Sequence, residues 1–192
     1  MAMESTKVRI LQKAGELFAA HGYRSISMRE IAAACGITKP AIYHYFRDKK
    51  HLYLEVVDRE LERLVLALDE AGSGPGTAAE RLSRLVRCYL EALQHRLSLI
   101  QLLLRDIGAI ESELPGVASK RSEDVLRPFV ALIQEGIAKG EFRPVDAMRA
   151  ALSLAGMMNV FVTRTLLRPD LPIGEEDIAH TVDMALNGLI PR

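Results

Sequence analysis

The sequence predicts an all-α chain of about nine helices, a three-helix head followed by a larger helical body. Three observations carry this. Apolar residues recur at spacings of three and four through most segments, the period of a helix with one buried face. No stretch alternates apolar and polar residues as a half-buried strand would. The breaks fall at glycine- and proline-containing runs, the strongest being AGSGPGT at 71–77, which has no bulky side chain. A chain of 192 residues, 49% of them hydrophobic, can bury a substantial core. With 5% aromatic residues and no tryptophan, that core is Leu, Ile, Val, Ala and Met.

The first helix follows a short lead-in, with Ser5 or Thr6 as its cap. Ile10, Leu11, Ala14, Leu17 and Phe18 share one face, and His21-Gly22 ends it. It is expected to lie across the next two helices, with Tyr23 and Ile26 plugging the core between them. Those two helices come from the run SMREIAAACGITKPAIYHYF, residues 27–46. Ser27 followed by Glu30 is a capping box. Ile31 and Ala32 give the first of the pair its inner face, and Ala33 and Ala34 are small enough for close helix approach. Gly36 sits where the chain must stop and turn. Thr38 caps the second of the pair, and Pro40 is tolerated in a first turn that needs no amide donor. Ile42 and Phe46 face inward, leaving Lys39, Tyr43 and His44 on a basic and aromatic outer face. Two helices joined this way suit the major groove of DNA.

The charge distribution agrees. The formal net charge is zero, yet residues 1–50 hold nine Lys and Arg against four acids, so a basic head stands on an acidic remainder.

The run TKPAIYHYFRDKKHL, with the upstream LFAAHGYRSISMREIAAACGI, resembles the DNA-binding domain of the TetR family of bacterial repressors. The resemblance covers about the first 50 to 60 residues, in order and without gaps. The combination of Tyr43, Tyr45, Phe46, Lys49 and Leu52 makes it narrower than a general helix-turn-helix pattern. The family more often carries His where this chain has Tyr45. The resemblance implies a helix-turn-helix motif from Met28 to Arg47. It puts Arg29, Thr38, Lys39, Pro40 and His44 nearest the bases, and matches Ser27, Tyr43, Tyr45 and Lys49 to phosphate-contacting positions. It further implies a DNA-binding domain at 5–65 and a regulatory domain for ligand binding and dimerisation at 66–192. The expected function is a sequence-specific transcriptional regulator, a ligand-released repressor acting as a homodimer on a palindromic operator. The alternatives are an activator or a ligand-independent regulator of the same fold, and outside that class a helical adaptor or an enzyme.

Beyond the motif, Asp48 caps a helix running to about Glu70, with Leu52, Val56, Leu61, Val65 and Leu68 along it. After the break come helices at 78–94, at 96–110 (more uniformly apolar) and at 117–139. Pro128 inside the last of these implies a kink or a later start. Asp146 caps a helix to about Leu167, and after RPDLPIGEED a last helix runs from Asp177 to Leu189. Ala147, Ala151, Ala155 and Gly156 form a small-residue stripe suited to a dimer interface, although the same stripe could pack within one chain. Tyr89, Gln101, Arg105, Asn159 and Arg164 are polar groups within apolar helices. Each could be paired internally or surface at a helix edge, or could line a cavity for a small-molecule effector with Met157, Met158 and Phe161 as adaptable wall, any of which could instead belong to the core. Arg105 is the first choice to anchor an anionic or carbonyl group.

Other chemistry is disfavoured. Cys35 and Cys88 are too few for a disulfide framework or a Cys-based zinc site. His21, His95 and His180 stand alone in sequence, and His44 and His51 fall in different expected helices. No metal-ligand spacing or catalytic motif appears, so no cofactor, metal or catalytic residue is expected. The opening residues do not form a basic-plus-apolar leader, so none is expected, and the apolar run LSLIQLLL is too short to span a membrane. A bacterial cytoplasmic location is expected.

Overall fold

The computed structural model describes residues 2–95 and 117–190. Among them are eight helices and no strand: α1 (Ala2–His21), α2 (Met28–Ala34), α3 (Lys39–Tyr45), α4 (Lys49–Ser73), α5 (Ala78–His95), α6 (Val117–Ala138), α7 (Ala147–Leu167) and α8 (Glu175–Leu189). The helix expected at 96–110 lies outside the described residues. The described chain divides into two compact units, one ending at Glu62 and the other beginning at Arg63.

The first unit holds α1, α2, α3 and the opening turns of α4 around one apolar core. Ile10, Ala14 and Phe18 of α1, Ile31 of α2, Ile42 of α3, Phe46 and Leu52 are all at or below 2% exposure. Phe18, Tyr23 and Tyr53 cluster with ring centroids 4.8 to 5.9 Å apart, Tyr53 meeting the other two edge-on. Burying each large apolar side chain contributes about 1.5–3 kcal/mol, whereas an exposed ion pair contributes roughly 0–1. The head is therefore held by its core. Ion pairs such as Lys7–Glu55 (2.6 Å) and the Arg59 bond to the Val8 carbonyl (3.3 Å) only trim the fit of α1 on α4.

The second unit packs α5, α6, α7 and α8 with the remainder of α4. α5 buries Leu82, Leu85, Val86, Tyr89, Leu90 and Leu93. α6 answers with Leu126, Phe129, Leu132 and Ile133, and α7 with Leu154, Met158 and Val162. Gly136 is buried because the chain turns back on it: a Cβ there would overlap the Phe142 ring and come within 3.0 Å of the Ala78 methyl. Turn ends are tied by charged groups on backbone carbonyls. Arg143 Nε donates to the Gly188 carbonyl (2.6 Å), and Arg164 joins the Pro172 carbonyl and both oxygens of Asp177.

Helix ends differ from expectation in three places. α1 starts at Ala2, so Ser5 and Thr6 lie inside it rather than capping it. α4 continues past Glu70 through Gly72 to Ser73, whose hydroxyl donates to the Asp69 carbonyl (2.6 Å) and satisfies a group the helix end would leave open. α6 keeps its expected start at Val117 and runs through Pro128, so of the two alternatives a later start is excluded. α8 starts at Glu175, because the Asp177 carboxylate accepts from the Gly174 amide (2.9 Å) from within the first turn.

Candidate nucleic-acid interface

Local chemistry fixes α2 and α3. Ser27 is extended and caps α2. Its hydroxyl accepts from the Glu30 amide (3.3 Å) and donates to Glu30 Oε2 (2.7 Å), which also accepts from the Ser27 amide (2.8 Å). Those bonds hold the Glu30 carboxyl below its ordinary value. α2 ends at Cys35, and Gly36 turns with φ +64°, a conformation L side chains rarely adopt. Thr38 Oγ1 then accepts from the Ala41 amide (3.3 Å) and opens α3, with Pro40 in its first turn.

α3 presents two faces. Ile42 and Phe46 are fully buried. Lys39, Tyr43 and His44 are exposed, as are Arg29 on α2 and Thr38 and Pro40 at the start of α3. The Lys39 ammonium sits 6.0 Å from the Tyr43 ring centroid, and the rings of His44 and Tyr45 meet edge-on at 5.6 Å. Tyr45 is half-buried against the head core. Ala33 and Ala34, expected to admit a neighbouring helix, are exposed instead. The inner face of α2 is made by Met28, Ile31 and Ala32, so the two alanines border open surface.

Lys49 sits differently from the other residues matched to phosphate. It is half-buried, and its ammonium donates to the carbonyls of Tyr23 (2.9 Å) and Ile26 (2.8 Å) while lying 4.4 Å from the Tyr23 ring centroid. Desolvation lowers its pKa from the ordinary value. The sequence holds no short-range signal for this, since the partners lie 23 and 26 positions away.

In the body, the described residues grouped as a possible cavity have different neighbours. Tyr89 and Asn159 come together, the buried phenol donating to Asn159 Oδ1 (3.3 Å); burial pushes that phenol up to about 12. Phe161 lies under the Arg164 guanidinium, 5.2 Å from ring centroid to Cζ. Met157 instead lines a cleft of about 570 Å³ with Leu154, Met184, Ala185, Arg143 and Arg149, between the start of α7 and the end of α8. Gln101 and Arg105 lie outside the described residues.

The small-residue stripe divides, and its first two members take the alternative of packing within one chain. Ala147 (8% exposed) and Ala151 (1%) are buried inside their own chain, because that face of α7 packs on α6 and α8. Ala155 is half-buried and only Gly156 is exposed, with open space where a side chain would go. The exposed stripe of α7 runs through Met148, Leu152, Val160 and Leu167, which are 43%, 52%, 65% and 76% exposed. Sequence reasoning missed these four, because an all-round apolar helix does not reveal which side meets its own chain.

A capped two-helix unit with a buried inner face and a basic, aromatic outer face defines a helix-turn-helix DNA-binding protein. Residues 10–56 match the family described as bacterial regulatory proteins of the tetR family, and residues 75–189 match the tetracyclin repressor-like C-terminal domain. The chain belongs to the TetR family and is a DNA-binding transcriptional regulator. Regulators of this family bind DNA as dimers and respond to small-molecule effectors.

The chain is 29% identical to the transcriptional repressor KstR2 of Mycolicibacterium smegmatis over 142 residues, 73% of this chain and 69% of that one. It is 26% identical to the transcriptional activator FasR of the same species over 184 residues, 94% and 81% of the two chains. Among solved structures it resembles the TetR family regulator PfmR of Thermus thermophilus, at 27% identity and TM-score 0.75 over 95% of this chain and all of that one. The ketosteroid transcriptional regulator KstR2 of Mycobacterium tuberculosis shares the fold at TM-score 0.72 and 23% identity, over 97% and 95% of the two chains. Among the described residues, no helix is long and apolar enough to cross a membrane.

Proposed function

We propose that this protein is a ligand-released repressor that binds a palindromic operator as a homodimer. The observation that carries the reading is the split of α3. Ile42 and Phe46 lock it into the core while Lys39, Tyr43 and His44 stand free to enter a groove. On this reading Arg29, Thr38, Lys39, Pro40 and His44 meet bases, and Ser27, Tyr43 and Tyr45 meet phosphates. Cations donate well to guanine acceptors, and hydroxyls and helix amino ends suit phosphate. The DNA-binding domain spans 5–65 and the regulatory domain 66–192, and the protein acts in the bacterial cytoplasm without catalysing a reaction.

One head makes few contacts, and symmetric pairing doubles them. The stripe of Met148, Leu152, Val160 and Leu167 on α7, with Met184 (52%) and Ile190 (44%) at the end of the chain, is the apolar surface that supports a two-fold bundle of α7 and α8. Half-sites read this way lie about one DNA turn apart, roughly 34–36 Å. α4 supplies residues to both units, so an effector held in the body can release DNA by tilting α4 and changing that separation. The effector must then bind the DNA-incompetent form more tightly, and operator must weaken effector binding by the same factor.

Activation is the second reading, supported by the match to an activator over 94% of the chain. A gel shift on DNA upstream of the protein's own coding sequence tests operator binding, and a reporter on the same DNA separates repression from activation. Absence of a shift on that DNA, and of any site recovered from a random duplex library, would overturn the reading.

A further inference from the structure

The ammonium of Lys49 faces the protein. It sits at the first position of α4 and reaches back to the turn between α1 and α2, where it donates to the Tyr23 and Ile26 carbonyls at 2.9 and 2.8 Å. Two of its three donors are used there, and the Tyr23 ring covers it at 4.4 Å. Ile26 immediately precedes Ser27, the cap of α2, and Arg29 follows two residues later. Glu30, which closes the capping box, is also attracted to Lys49. One cation therefore fastens three things: the exit of α1, the amino end of α2 and the start of α4. Charge-assisted bonds at these distances are roughly twice as strong as neutral ones, and this pair spans a turn with no other regular structure.

We propose that Lys49 is a positioning residue for DNA recognition: it sets where α2 presents Ser27 and Arg29, and its ammonium does not have to touch phosphate. Recognition needs such support, because contacting side chains held about an ångström out of place lose much of their effect. The proposal rests on the helix-turn-helix as the DNA-binding unit, and the experiment separates it from the base-reading role given to Arg29.

The full-length protein and its Lys49→Met variant, which keeps the apolar stem and removes the donors, are compared on a duplex that the wild type selects from a random-sequence library. Three readings are taken. Without DNA, the amides of residues 27–31 should exchange roughly tenfold faster in the variant while those of α5 to α8 are unchanged. With DNA, affinity should fall about tenfold or more, and base discrimination should be lost at the positions that Arg29→Ala relaxes. The dependence of log affinity on log salt should keep its slope, because no cation is withdrawn from a phosphate and Ser27 is neutral. Unchanged exchange in free protein, with a slope smaller by about one for each protomer, would make Lys49 a phosphate contact and overturn the proposal. Faster exchange with unaltered affinity, or an equal loss on every duplex, would reduce it to a purely structural clamp and overturn it as well. If Arg29→Ala relaxes no position, the base-reading role of Arg29 fails by itself, and the exchange and salt slope still decide on Lys49.

Discussion

Arg81 of α5 and Glu135 of α6 form a bidentate ion pair, Nη1 to Oε1 at 2.6 Å and Nη2 to Oε2 at 2.9 Å. The same guanidinium donates through Nε to the Gly72 carbonyl at 2.6 Å, so one side chain joins α4, α5 and α6. Lys139 adds a third bond to Glu135, at 2.7 Å. Together the hydrogen bonds from Arg81 and then Lys139 pull the Glu135 carboxyl down to about 2.

A carboxyl held lower in the folded state than in the unfolded chain stabilises the fold above its unfolded value of 4.5. That contribution disappears as pH falls from there toward 2. The melting temperature of the wild type should therefore drop more steeply than that of Glu135→Gln across this window, and the two should converge at its acid end. Parallel curves would show that the pair contributes nothing to the acid sensitivity of the body.

Gly136→Ala sets two effects against each other. Alanine is the better helix former by about 1 kcal/mol, which favours the variant. Against it, the new methyl meets the Phe142 ring, and the turn cannot yield freely because the Gly136 carbonyl accepts from the amides of Glu141 (2.9 Å) and Phe142 (3.1 Å). Overpacking of this kind costs about 1–3 kcal/mol, so net destabilisation is expected. Urea denaturation checks it: an unchanged or raised midpoint would show that the ring moves aside at little cost.

The head was legible because its signals are local. Ser27 with Glu30, Gly36, Thr38 and Asp48 each act within a few residues, and all four hold in the structure. Burial of Ile42 and Phe46 followed from their spacing. Lys49 was not legible, since its partners are set by the fold rather than by neighbours. The body was legible as helices and less so as faces. α7 is apolar on most sides, so the sequence could not say that Ala147 and Ala151 turn inward while Leu152 and Val160 turn outward. Ala147 and Ala151 took the within-chain alternative, since tight approach serves packing within a chain as well as between chains.

That division of α7 gives a test of assembly. Leu152→Glu places a charge on the exposed stripe and should yield monomers of unchanged helicity that bind operator weakly. Gly156→Leu, where space is open, should perturb pairing in the same direction without harming the fold. Ala151→Glu is the contrast: at 1% exposure it buries a carboxylate and should unfold the body instead. Sedimentation with circular dichroism distinguishes the cases, and an intact dimer for Leu152→Glu would move the interface away from this stripe.

Lys39 and Tyr43 share the outer face of α3, one a cation at its first position and the other an exposed ring beneath it. If Lys39 reads a base, Lys39→Ala should cost about 1–3 kcal/mol in affinity and relax preference at one position of each half-site. Tyr43→Phe removes only a hydroxyl that can reach phosphate, so it should weaken all duplexes alike and leave the preference intact. Both side chains are exposed, and stability should stay within about 0.5 kcal/mol of the wild type in each case. Affinities across a panel of single-base operator variants give the answer. Uniform weakening by Lys39→Ala would assign it to the backbone and leave Arg29 as the remaining cation available for base reading, whereas selective weakening fixes α3 as the helix that enters the groove.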